Sequence, residues 1–214
     1  PSLHGAAAKA GLPIISQVEA TRDPRLCFLS LEYSEIIRPA EFATGQLFNV
    51  HFSLLPHYRG CNTSVWPILR GEAEHGVTLH LIDAGVDTGP IIDQRAFPLG
   101  EMTAFDAYMQ CQRVGLELLL EWMPRLIAGD FTVRAQGKGT CFPRKALDYA
   151  RKEIDLAEPA EQVLRRIRAF TFPAYQLPTL GGRNIVEWSL EPFDESATVH
   201  AADGPVYLRF SDAR

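Results

Sequence analysis

The chain has 214 residues, 46% hydrophobic and 22% charged, with a formal net charge of −5 at pH 7. That length and apolar content suit one domain with a small appendage and exclude wholesale disorder. The negative balance argues against a dedicated nucleic-acid binder, and neither a signal peptide nor an apolar run near the ~18 residues of a membrane span is visible.

Four cysteines, Cys27, Cys61, Cys111 and Cys141, lack paired spacing. They fit free thiols in a reducing cytoplasm better than a disulfide framework or a zinc site. No metal is expected, because the six histidines contain no HExxH and His75 and His80 are poorly spaced for one strand face. Charge is uneven along the chain: between Arg134 and Arg183 ten Lys/Arg stand against five Asp/Glu. That stretch reads either as a solvated face or as a patch toward an anionic group such as a diphosphate.

In chain order, Ala6 to Ala10 reads as a helix closed by Gly11 and Pro13, with a short strand at Ile14-Ile15. Arg25 to Leu31 is a buried-type strand and Phe48 to His51 another. Asn62 or Ser64 caps a helix through Leu69 that Gly71 stops. Strands follow at Val77 to Ile82 and Pro90 to Phe97, separated by the turn-rich DAGVDTG. Thr103 and Asp106 form a capping box for a long helix ending at Gly129. Its core stripe is read as Phe105, Tyr108, Met109, Leu116, Leu119, Leu120 and Met123. A linker runs to about Asp155, a helix spans Pro159 to Phe170, and short strands occupy Asn184 to Trp188 and Val206 to Phe210. Alternating strands and helices predict an α/β fold with a Rossmann-like, mostly parallel sheet flanked by helices. The expected division is a catalytic domain over 1–140, a linker and helix over 141–178, and a small β-rich extension over 179–214. A chain that opens on Pro1, with few strands before Arg25, is expected to lack an N-terminal part.

The chemistry concentrates in two stretches. In NVHFSLLPHYRG, Asn49 and His51 share one face of a strand end. An amide and an imidazole together donate to a developing oxyanion, and the imidazole also moves a proton. Read alone, the pair also fits a strand end that satisfies loop backbone. The second stretch, DAGVDTGPI, supplies Asp87 as the carboxylate that orients the imidazole, and Asp83 to shape the loop. Gly85 and Gly89 there allow close backbone approach. Both loops are expected to leave the same edge of the sheet.

Asn-x-His followed by SLLPHYRG, then HLIDAGVDTGPI, resembles the signature of the folate-dependent formyltransferases, over roughly Leu26 to Trp188. The resemblance implies the formyltransferase fold, 10-formyltetrahydrofolate as formyl donor, and Asn49, His51 and Asp87 as the catalytic triad. It places the pterin beside SLEYSEII and the backbone of Ile82 to Val86, which makes Glu32, Tyr33, Ile82, Asp83, Gly85 and Val86 folate contacts. Tyr33 also fits ordinary packing at a strand end. Phe52 departs from the family, where a small residue or Pro often follows the His.

For the acceptor, Arg59, Asn62 and Thr63 offer polar contacts near the active edge, with Ser64 beside them. CFPRKALDYARKEIDL and RIRAFTFPAYQLP resemble the second region of sugar N-formyltransferases. Arg144 and Lys145 then face a diphosphate, and Phe170, Phe172 and Tyr175 stack on a base. The alternatives are a solvated pair and a packed core. The stretch after Pro178 is short for the barrel expected of a tRNA formyltransferase. The favoured acceptor is therefore a nucleotide-linked amino sugar, a precursor of surface polysaccharide such as lipopolysaccharide O-antigen. Methionyl-tRNA is the runner-up, followed by a formylation domain or non-catalytic folate-binding module of a larger protein. A cytoplasmic homodimer is expected.

Overall fold

The computed structural model describes residues 3–33 and 35–211; Ser34, in the loop assigned to the pterin, lies outside them. Helix α1 (Leu3–Lys9) and the single turn α2 (Gln17–Ala20) come first. No strand forms at Ile14-Ile15, whose side chains are 51% and 57% exposed. With no neighbouring strand to pair, a two-residue apolar run stays irregular.

The main sheet contains β1 (Phe28–Leu31) and β2 (Leu47–His51). Next in the chain come the two-residue strand β3 (Arg59–Gly60) and helix α3 (Trp66–Arg70), then the hairpin partners β4 (Glu74–Leu81) and β5 (Ile91–Pro98). Helix α3 begins without a side-chain cap, so neither Asn62 nor Ser64 plays the expected role, and Gly71 closes it in the left-handed conformation. The sheet order is β1-β2-β4-β5. Only β1 and β2 are parallel; β2–β4 and β4–β5 are antiparallel. The sheet is thus mixed, because β4 returns after the short helix α3 and pairs directly with β2.

Helix α4 (Ala104–Ala128) covers one face of this sheet, started by the Thr103–Asp106 capping box and ended by Gly129. Its buried stripe is Ala104, Ala107, Cys111, Val114, Gly115, Leu118, Leu119 and Leu126. Met109, Leu116 and Leu120 lie outside that stripe and are 47%, 55% and 67% exposed, contrary to the sequence reading. The stripe meets Phe48, Val50 and Phe52 of the β2 segment and Val77 and Leu79 of β4. By strand alternation, Asn49, His51, Thr78 and His80 therefore point to the opposite face. Phe52 is 4% exposed and edge-on to Tyr108, within the core that α4 covers.

Strand β6 (Cys141–Phe142) pairs with β3, and helix α5 (Ala160–Phe170) follows. Strands β7 (Thr179–Leu180), β8 (Arg183–Ser189), β9 (Ala197–Ala201) and β10 (Gly204–Phe210) form a second sheet in the order β7-β8-β10-β9. Helix α5 links two cores. Val163, Leu164 and Ile167 pack on Ile185, Val206 and Leu208 of the second sheet, while Ala169 and Phe170 join Ile68, Ala104 and Leu147. Phe170 is wholly buried and so is core rather than a stacking surface.

Candidate active site

Strand β2 sets Asn49 and His51 side by side, and the antiparallel register of β4 puts His80 directly opposite Asn49. The same antiparallel pairing corrects the expectation of a shared edge. β4 ends at Leu81 beside Phe48, away from the end of β2. Loop 82–90 instead folds back across the face. Asp83 Oδ1 shapes it by accepting from the Gly85 N–H (3.0 Å) and the Thr88 hydroxyl (2.6 Å). Gly89 packs so close that a Cβ would stand 1.8 Å from the Leu81 carbonyl oxygen. The loop delivers Asp87 with φ 53° to the two strand residues.

The cluster that results is tight. Asp87 Oδ2 lies 3.5 Å from His51 Nδ1 and accepts from the Gly60 N–H at 2.8 Å. Asp87 Oδ1 accepts from the Asn49 amide at 3.3 Å and lies 3.7 Å from His80 Nε2. Carbonyl partners fix both imidazole tautomers, since a carbonyl only accepts. His51 Nε2 sits 2.9 Å from the Tyr58 carbonyl and so carries the proton, leaving Nδ1 for proton transfer. His80 Nδ1 donates to the Leu81 carbonyl at 2.7 Å, which leaves its Nε2 to accept from the Asn49 amide at 3.2 Å. Both N–H groups of Asn49 are therefore aimed by protein acceptors.

Burial pushes the His51 imidazole below its ordinary value of 6.5, outweighing the attraction of Asp87. Asp87 raises the basicity of His51, though by less than burial lowers it. It offsets part of the burial effect, and His51 stays neutral and able to accept a proton near pH 7. Burial would also raise the Asp87 carboxyl, but the His80 and His51 rings and the Gly60 N–H outweigh it and hold it at about 2.

A cavity of about 860 Å³ opens over the cluster. Asn49, His51 and Asp87 line it, as do the residues assigned to folate: Glu32, Tyr33, Ile82, Asp83, Gly85 and Val86. Of the residues assigned to the acceptor, Asn62, Thr63, Arg144, Phe172 and Tyr175 reach it. Three do not. Phe170 is buried in the core, Lys145 is exposed outside the lining, and the Arg59 guanidinium is bound to Gln136 Oε1 (3.1 and 2.7 Å) and the Gly137 carbonyl (3.1 Å). Glu32, Tyr58, Asn62 and Asp87, four of the five non-glycine residues with positive φ among those described, surround this site. Clustering of disfavoured backbone at one cavity is a mark of function.

Sequence reasoning missed three contributors. His80 was weighed only as a metal ligand, although the alternation in VTLHL puts it on the same face as Thr78. Tyr149 joins the wall and donates its hydroxyl to Asn62 Oδ1 at 2.8 Å. Gln136 carried no local signal at all. Among the described residues, no group of three or more His, Cys, Asp or Glu is placed to hold a metal ion, and no helix is long and apolar enough to cross a membrane.

The Formyl transferase family matches residues 31–122. An N-formyltransferase from Helicobacter canadensis, solved with folinic acid and dTDP-3-aminofucose, is 33% identical with a TM-score of 0.91. The superposition covers 98% of this chain and 83% of that one. The sugar 3-N-formyltransferase WlaRD, solved with dTDP and 5-N-formyltetrahydrofolate, is 31% identical, TM-score 0.91, over 100% of this chain and 82% of its own. Methionyl-tRNA formyltransferase of Synechococcus sp. is 33% identical over 174 residues, 75% of this chain and 54% of that protein. The chain thus spans about half the length of the curated relatives it matches. A shared fold across nearly the whole chain, at identity above 30%, makes the chain a member of the formyltransferase family.

Proposed function

We propose that the protein transfers a formyl group from 10-formyltetrahydrofolate to the amine of a nucleotide-linked amino sugar. The observation that carries the reading is the Asn49–His51–Asp87 cluster at the floor of one large cavity. Two further supports are a folate-assigned wall with apolar Ile37, Val50, Phe52 and Tyr108 beside it, suited to a flat pterin, and the likeness to sugar N-formyltransferases across the C-terminal sheet. The donor supplies the formyl carbon; everything else is asked of the chain. His51 Nδ1 takes the proton the attacking amine sheds and returns it to the nitrogen the formyl group leaves. The Asn49 amide turns to the negative formyl oxygen as that charge develops. An oxyanion is a stronger acceptor than the partner at 3.3 Å that the amide gives up. Asp87 keeps the imidazolium stable while the bond to the amine forms.

Arg144, with Tyr149 and Asn62, forms the polar wall for a diphosphate and sugar, and Phe172 and Tyr175 the stacking surface for the base. Four free cysteines suit a reducing compartment, so the reading includes the cytoplasm. It also includes a homodimer, which sedimentation checks, and a formamido sugar destined for surface polysaccharide. The test is a panel: 10-formyltetrahydrofolate with dTDP- and UDP-linked amino sugars and with methionyl-tRNA, following released tetrahydrofolate. Turnover with an amino sugar supports the assignment. Turnover with the tRNA alone replaces the acceptor, and folate binding without turnover on any acceptor replaces the enzyme by a binding module.

A further inference from the structure

We infer that Gln136 is the positioning residue for Asp87, acting through the backbone of loop 82–90; this rests on the formyl-transfer reading. Arg134 pairs antiparallel with Ile91 through two backbone hydrogen bonds, 2.8 and 2.9 Å. That register carries Gln136 opposite Gly89, two residues along each strand. Its Nε2 donates to the Asp87 carbonyl at 3.0 Å and the Gly89 carbonyl at 2.6 Å, while its Oε1 accepts both Nε and Nη2 of Arg59. Two carbonyls on one end and a guanidinium on the other leave a single orientation for the amide.

The circuit closes on the catalytic carboxylate. Arg59 and Gly60 form β3, and the Gly60 N–H donates to Asp87 Oδ2 at 2.8 Å. Gln136 therefore holds the backbone of Asp87 against the same strand that holds its side chain. Such a clamp has work to do, because Asp87 has φ 53° and a free loop would relax away from that region. It also explains Arg59: its charge is spent on orienting Gln136 and not on substrate. Neither role was visible in the sequence, since 136 and 87 meet only through the 134–91 register.

The test uses the full chain with Gln136→Ala and Gln136→Glu. The Glu variant keeps oxygen acceptors for Arg59 but offers no N–H to the two carbonyls. A tie that merely anchors Arg59 survives in it; a clamp on Asp87 does not. Both variants are expected to lose kcat by about 10- to 100-fold, with KM for donor and acceptor within about threefold. The Gly60 amide proton, read by NMR and hydrogen exchange, should move toward its value in Asp87→Ala. Wild-type kcat in Gln136→Glu, or an unmoved Gly60 amide in either variant, overturns the inference. If the wild type forms no formamide, the proposed function fails by itself, and the Gly60 signal still decides whether Gln136 places Asp87.

Discussion

Asn49 and His51 ride on a central strand of the main sheet, whereas Arg144, Tyr149, Phe172 and Tyr175, across the same cavity, ride on short segments between 141 and 176. His51 is 8% exposed and anchored through Nε2 on the Tyr58 carbonyl; Tyr175 is 86% exposed. Under the proposed function, the cavity divides its labour between the two. Proton transfer and oxyanion contact need atoms held to fractions of an ångström, which strands with locked side chains provide. Recognition of a base or sugar tolerates adjustment, and exposed aromatics on short turns supply area without costing a core.

Substitutions on the two sides of the cavity should therefore differ in size and in kind. His51→Ala should lower kcat/KM about 10³-fold or more, and Asn49→Ala about 10²- to 10³-fold. Steady-state kinetics on folded protein checks both, and a loss confined to KM would mean that the corner binds and does not react. Asp87→Asn should cost about 10²-fold and also shift the pH profile. Activity falls as His51 gains its proton, so the acid limb follows the His51 pKa, which burial already holds below 6.5. Asp87 raises that pKa; without its charge the limb moves to still lower pH. An unmoved limb would separate Asp87 from His51. Tyr175→Ala should raise KM for the sugar nucleotide about tenfold with kcat nearly intact. Lys145→Ala, outside the cavity, should change neither by more than about twofold.

What was legible in the sequence follows the same division. Alternation in LFNVH and capping at Thr103 are local signals, so β2, α4 and the pairing of Asn49 with His51 could be read directly. Asp83 could be read as a loop former because its hydrogen bonds stay within five residues. Sheet direction could not: periodicity is the same for parallel and antiparallel strands, and the antiparallel return of β4 changed which edge its loop leaves. The α4 stripe went astray because Leu116 and Leu120 are apolar but face out. His80, Gln136 and the diversion of Arg59 depend on cross-strand register and contacts tens of residues apart, which no window of sequence contains.

Formamide formation measures directly whether the buried corner performs the proposed formyl transfer. The full chain would be incubated with 10-formyltetrahydrofolate and a dTDP-linked amino sugar, beside His51→Ala, and the product followed by mass spectrometry. Formamido sugar is expected from the wild type and essentially none from the variant. Equal product from both, or product from neither, would contradict the proposed transfer.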